Sequence, residues 1–267
     1  MKFGDHLVRG RFVARRNLFL ADVELEGRVT PCFLPNPGRL PELLVPGAEA
    51  LVARPAPAAR PANSPPRTTA HDLVALRYDG RWVSVDTRLP NALFREAHAR
   101  GRIAELADTV IARAEHRHGA SRFDYLLTRA GRPLLLEIKS VSLCEDGVAL
   151  FPDAPTVRGT KHLRELTAAK RDGIEVCALF CIQRPDARVL RPHDATDPAF
   201  GAALREAHAA GVKLLAYGCR TDAARIAIVA PVPLELPRLR PLTAPRPTRR
   251  ASAGRGAGTR RTPPAQG

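Results

Sequence analysis

No run of about 18 apolar residues occurs in this 267-residue chain, which excludes a membrane-spanning helix. The opening Met1-Lys2-Phe3-Gly4-Asp5-His6 carries charge where a secretory signal needs an apolar core, so the expected location is the cytoplasm. Cysteine is scarce: Cys32, Cys144, Cys177, Cys181 and Cys219 are odd in number, and Cys177 and Cys181 have no second pair at ligand spacing. That pattern argues against a structural zinc site and fits reduced, buried thiols. No internal repeat, helix-turn-helix or zinc finger is legible. Lysine is also rare. Lys2, Lys139, Lys161, Lys170 and Lys213 are the only five, which leaves 37 of the 42 basic residues as arginine. A lysine that persists in such a background marks a place where a compact ammonium works and a forked guanidinium does not.

Acidic residues are too few to balance the charge: 27 Asp and Glu leave the chain at +15. Eight arginines and no acid fall in 238–267, so residues 1–237 still carry +7. A basic body with a more basic tail points to a polyanion, and nucleic acid is the natural one. The bland alternative is a surplus of arginine set by composition. Apolar content of 45% and charged content of 26% are otherwise those of a globular protein with no membrane partner.

The first third reads as short β-prone runs at 8–13, 18–25, 29–34, 50–53, 72–77 and 81–85, with turns at Glu26-Gly27-Arg28 and Asp79-Gly80. They suit a small barrel of the OB type over 1–86. The Pro/Ala-rich 54–67 reads as a loop. From Pro90 the pattern changes to helices at 91–100, 161–172 and from Asp197-Pro198 to near Gly211. Strands are expected at 122–128, 134–140, 174–182, 212–217 and 226–229. His116-Arg117-His118 reads as a solvated turn. This alternation indicates an α/β sheet domain over 87–237, followed by a disordered Arg/Pro-rich tail at 238–267.

The chemistry concentrates in 122–139. Folded as a hairpin with Ala130-Gly131 at its tip, this stretch pairs 129 with 132 and, in the same register, Asp124 with Glu137, their Cβ atoms about 5 Å apart. Lys139 shares the face of Glu137, because strand side chains alternate. Two opposed carboxylates repel unless a cation lies between them, and Mg²⁺ or Mn²⁺ resolves that conflict while leaving room for water and phosphate oxygens. The same residues could equally decorate an exposed strand face, and a slip of one residue would part the acids. Ala130 is also a poor residue for a tight primed turn, which leaves room for a longer loop.

The pattern Asp124…Glu137-x-Lys139 resembles the PD-(D/E)XK nuclease core. In that superfamily a preceding helix often carries a further acid, and the resemblance assigns that place to Glu96. The wider sequence resembles the sugar fermentation stimulation protein A family. The residues that carry this are Phe19-Leu20-Ala21-Asp22-Val23, Pro35-Asn36-Pro37-Gly38, Ser121-Arg122-Phe123-Asp124-Tyr125, Glu137-Ile138-Lys139-Ser140-Val141, Phe151-Pro152-Asp153-Ala154, Arg158-Gly159-Thr160-Lys161-His162 and Ile182-Gln183-Arg184. The family implies DNA binding and an OB-like domain joined to a nuclease-like domain. Pro37 and Pro155 depart from its pattern.

On this reading Asp124 and Glu137 hold the metal, Lys139 assists the attack on a phosphodiester, Glu96 supports the outer shell, and Gln183 holds the attacking water or hydrogen-bonds the backbone. Arg122, Arg158, Lys161 and His162 are candidate contacts to nucleic acid, the last two at a helix N-terminus suited to phosphate. Trp82 and Phe33 could stack bases as OB-fold aromatics do, but core packing is the expectation for each. DNA, single- or double-stranded, is the expected partner, with RNA the weaker alternative. The rival reading is a non-catalytic DNA-binding regulator of sugar (maltose-type) utilisation genes that uses the nuclease fold as a scaffold.

Overall fold

The computed structural model describes residues 1–4, 6–55 and 68–237. The tail expected at 238–267, and all but the start of the loop expected at 54–67, lie outside the described residues. Among those described, no helix is long and apolar enough to cross a membrane.

The first half folds as six strands: β1 (Leu7–Asn17), β2 (Leu20–Leu25), β3 (Arg28–Phe33), β4 (Glu49–Ala53), β5 (His71–Tyr78) and β6 (Arg81–Ser84). β1 pairs with β2 and β4, β2 with β3, and β4 with β5, all antiparallel. A short parallel pairing of β3 with β5 through Cys32↔His71 and Phe33↔Asp72 closes the barrel. This is the five-stranded closed order expected of an OB domain, with β6 added outside β5. Glu26-Gly27 and Asp79-Gly80 both take positive φ, as two-residue hairpin turns require. Phe12, Val23, Leu34, Leu43, Val52 and Leu73 fill the interior. The 18–25 run is interrupted: β1 continues to Asn17, whose side-chain Oδ1 accepts from the Phe19 N–H at 3.0 Å and turns the chain at Leu18-Phe19.

The second half begins with α1 (Pro90–Ala99) and continues with β7 (Thr109–His118), β8 (Ser121–Arg129), β9 (Arg132–Val141), β10 (Cys144–Glu145), β11 (Val148–Phe151), α2 (Val157–Arg171), β12 (Glu175–Ile182), β13 (Val189–Pro192), α3 (Pro198–Ala209), β14 (Lys213–Thr221) and β15 (Ile226–Pro231). Its main sheet is mixed, in the order β15-β14-β12-β9-β8-β7, with β9, β12 and β14 parallel. Strand alternation sorts the core into two layers. Leu134, Leu136 and Ile138 face α1, whereas Leu135 and Val141 face the side covered by α2 and α3. β10, β11 and β13 make a separate small sheet.

His116-Arg117-His118 is the end of β7, not a turn, and the chain turns at Gly119-Ala120 instead. β7 is an edge strand exposed on most of its length, so no apolar alternation announces it. α2 starts at Val157, not at 161, because Thr156 is the N-cap, its side chain accepting from the Gly159 N–H.

The end of β12 ties the barrel to the sheet. Arg184 is fully buried and grips Asp186 through two bonds of 2.7 and 2.8 Å, Glu42 of the barrel at 2.9 Å and the Ser142 carbonyl at 2.7 Å. Removing the guanidinium leaves two mostly buried acids without their cation. Arg184→Ala should therefore destabilise the fold by about 3–5 kcal/mol in urea unfolding; a loss below about 1 kcal/mol, the range of an exposed ion pair, would show that this joint carries little weight.

Candidate metal centre

β8 and β9 pair from Arg129↔Arg132 to Tyr125↔Leu136. Ala130 and Gly131 take φ of 47° and 78°, so the two-residue turn forms despite the cost of placing alanine there. The ladder stops one step short of Asp124 and Glu137. Phe123 packs on the α2 face and Tyr125 on the α1 face, although residues two apart should share a face. The strand alternation thus breaks at Asp124, and its carboxylate turns into the gap beside β9. There Oδ2 accepts from the Ile138 N–H at 2.7 Å and Oδ1 from Asn91 Nδ2 at 2.9 Å. Glu137 and Lys139 share a face as alternation dictates, with Nζ donating to Oε1 at 2.6 Å. His162 Nδ1 reaches the same Oε1 at 2.5 Å.

The two acids feel each other. Burial first, and the Glu137 charge second, lift the Asp124 carboxyl above its ordinary value against the bonds from Asn91 and Ile138. Burial also pushes the Glu137 carboxyl up, but the His162 hydrogen bond and the Lys139 ammonium outweigh it and hold it below the usual range. Glu137 is only 5% exposed, and its Oε2 is buried with no hydrogen-bond partner. A buried carboxylate oxygen left open beside a second acid suits a hard cation, and the all-oxygen donors suit Mg²⁺, Mn²⁺ or Ca²⁺. Among the described residues no group of three or more His, Cys, Asp or Glu could hold a metal, so the acid share of this centre is two. The cleft of about 270 Å³ between Asn36-Pro37-Gly38 and the segment from Leu150 to Thr156 is separate from it: none of Asp124, Glu137 or Lys139 lines that cleft.

The other expected residues distribute unevenly. Glu96 is not brought to the pair. It faces away on α1, bound to Arg100 at 3.0 Å and to the Met1 amino group at 2.7 Å. Five residues at about 100° each put it on another side of the helix from Asn91, which takes the place assigned to it. Gln183 is also not free to hold water: it is wholly buried, its Nε2 donates to the Asp86 carbonyl at 3.0 Å and Ser140 Oγ at 2.9 Å, and its Oε1 accepts from Ser84 Oγ at 3.0 Å. His162 belongs to the carboxylate cluster and is buried, not presented to a ligand at a helix end. Lys161 lies beyond the first turn of α2 as well, exposed, donating to the Ala120 carbonyl at 3.2 Å. Arg158 is exposed beside His162, and Arg122 is exposed but paired with Glu115 at 2.8 Å. Sequence reasoning missed Asn91. Its one signal was position, at the start of a helix that must cross the hairpin. Phe33, expected in the core, is half-buried and stacks on the exposed Phe19 at 6.1 Å, with the Arg88 guanidinium over its ring; Trp82 is buried as expected.

Two family models match this chain. The one described as "SfsA N-terminal OB domain" covers residues 13–85, and "Sugar fermentation stimulation protein RE domain" covers 88–225. A sugar fermentation stimulation protein homolog from Moorella thermoacetica is 44% identical over 232 residues, spanning 86% of this chain and 97% of that protein. Another from Acetivibrio thermocellus is 41% identical over 237 residues, spanning 88% and 99%. Among solved structures, Pyrococcus furiosus SfsA in complex with Ca²⁺ superposes with a TM-score of 0.79 at 29% identity, over 88% of this chain and 98% of that one.

The raised Asp124 carboxyl has a pH signature. The native state keeps this proton where the unfolded chain has lost it, so the contribution of Asp124 to stability falls as pH rises through the window above the ordinary aspartate value of about 3.9. Asp124→Asn removes that contribution and relieves Glu137. Urea unfolding without divalent metal should show the variant gaining on wild type as pH rises from about 4 to about 7; a difference that is flat or shrinks over that window would mean that the Asp124 carboxyl is not raised in the folded chain.

Proposed function

The chain belongs to the sugar fermentation stimulation protein family, and from that footing we propose that it binds DNA and that its second half carries a divalent-metal-dependent phosphodiesterase site of the PD-(D/E)XK kind. The observation that carries this reading is the convergence of Asp124, Glu137 and Lys139, with Glu137 Oε2 buried and unpartnered. The succession α1-β7-β8-β9, then β10 and β11 of the small sheet, then α2-β12 supports it, as does the Ca²⁺ held by the solved relative, an ion of the same oxygen-seeking class.

Asp124 and Glu137 are the residues to hold the cation. Bound there, it would neutralise both acids and draw in a phosphate oxygen. Asn91 and the Ile138 N–H fix the Asp124 carboxylate, and His162 fixes Glu137; both are positioning roles. The Lys139 ammonium lies within hydrogen-bond reach of Glu137 and is poised to balance charge that grows on the phosphate as water attacks and the leaving oxygen takes a proton. Arg158 and Lys161, exposed on the first turns of α2, extend the cationic approach. On the barrel, the Phe19–Phe33 stack suits an unpaired base. Mg²⁺ or Mn²⁺ is the cation proposed, and DNA is the proposed polymer, with RNA the weaker alternative.

A second reading keeps the DNA and drops the cleavage, and it is favoured because no group of three or more His, Cys, Asp or Glu that could hold a metal occurs among the described residues. Purified protein incubated with single- and double-stranded DNA and Mg²⁺ or Mn²⁺ separates the two. Cleavage that falls by more than about 100-fold in Asp124→Ala, with DNA affinity retained, is the expected result. Equal inertness of wild type and variant under every condition would leave only the binding protein.

A further inference from the structure

Away from the acid pair, the end of α1 and the β14–β15 hairpin enclose an open cavity of about 470 Å³. Arg100 and Arg102 enter it where α1 ends, Arg220 and Arg225 from either side of the hairpin turn, and Lys2 from the segment bridged to Arg225. Only Glu96 and Asp222 oppose these five cations, and both acids are already committed. Glu96 holds Arg100 at 3.0 Å. Asp222 caps the turn, accepting from the Ala224 and Arg225 N–H groups at 2.8 and 2.7 Å.

Several arginines elsewhere among the described residues have acids of their own, as in Arg77–Glu49, Arg129–Glu175 and Arg205–Asp194. Here Lys2, Arg102, Arg220 and Arg225 have no ion pair among the described residues. Like charges gathered in a concavity repel one another, and an anion that enters it turns that repulsion into attraction. Guanidinium groups arriving from separate elements suit a forked, multi-oxygen acceptor such as phosphate. At about 470 Å³ the cavity has room for more than one such group.

We propose that this cavity binds consecutive phosphate groups. The source is either the backbone of a nucleic-acid strand or a small free polyphosphate, and the site does not depend on whether the acid pair cleaves. It also gives Glu96 a role as the residue that positions Arg100.

The test measures binding of two probes in EDTA, which silences any metal chemistry: inorganic tripolyphosphate by calorimetry and a fluorescein-labelled single-stranded oligonucleotide by anisotropy. Wild type is compared with Arg220→Ala/Arg225→Ala and with Arg9→Ala/Arg28→Ala, which removes the same charge from the barrel. All four side chains are exposed, and unchanged thermal unfolding confirms both folds. The cavity pair should weaken at least one probe by about tenfold while the barrel pair changes it less than about twofold. Loss of the oligonucleotide identifies a nucleic-acid strand as the source, and loss of tripolyphosphate alone identifies a small polyphosphate. If neither probe responds to the cavity pair, or both pairs weaken each probe alike, the attraction is diffuse charge and the cavity is no site.

Discussion

The turn at Ala130-Gly131 sets the centre. Two residues at positive φ force Arg129 against Arg132, and from there the ladder has one register that ends at Tyr125↔Leu136. The next step delivers Asp124 beside Glu137. A longer loop with a different register would move one acid to the other face, because strand side chains alternate. The apolar residues enforce the same choice. Leu134 and Leu136 must face α1 while Leu135 faces α2, so a slipped β9 would expose one layer of the core and bury the other's polar partners.

That register gathers negative charge where water is scarce, and the surroundings are arranged to tolerate it. Lys139 and His162 both address one oxygen of Glu137, while Asn91 and a main-chain N–H address Asp124. The second oxygen of Glu137 is left over. The acids and their partners come from four elements: α1, β8, β9 and α2. The joint at Gln183 and Arg184 clamps β9 and β12 to the barrel, so the scaffold under the acids is rigid even though no charge of the joint touches them. Such preorganisation lets a cation bind without the protein having to reorder.

Much of this was legible in the sequence. The hairpin, its register and the shared face of Glu137 and Lys139 follow from turn chemistry and a period of two; the barrel follows from short β-prone runs and two glycine turns. What stayed hidden has physical causes. β7 lies at an edge and buries too little to show a pattern. Asn91 outranks Glu96 through the angle at which α1 crosses the hairpin, which sequence does not encode locally. His162 reads as a helix-end residue until Thr156 is recognised as the cap, after which it falls one turn deeper and onto Glu137. Gln183, at the end of an apolar strand, reads as a residue that could hold an attacking water, yet its hydrogen bonds are consumed in holding β6 and β9 together.

The central claim is that Asp124 and Glu137 serve one cation together. Calorimetric titration of wild type, Asp124→Ala and Glu137→Ala with Mn²⁺ and Ca²⁺ tests it most directly. The account predicts one saturable site per chain in wild type that disappears in both variants. A site that persists with the same stoichiometry and affinity when either acid is removed would contradict it.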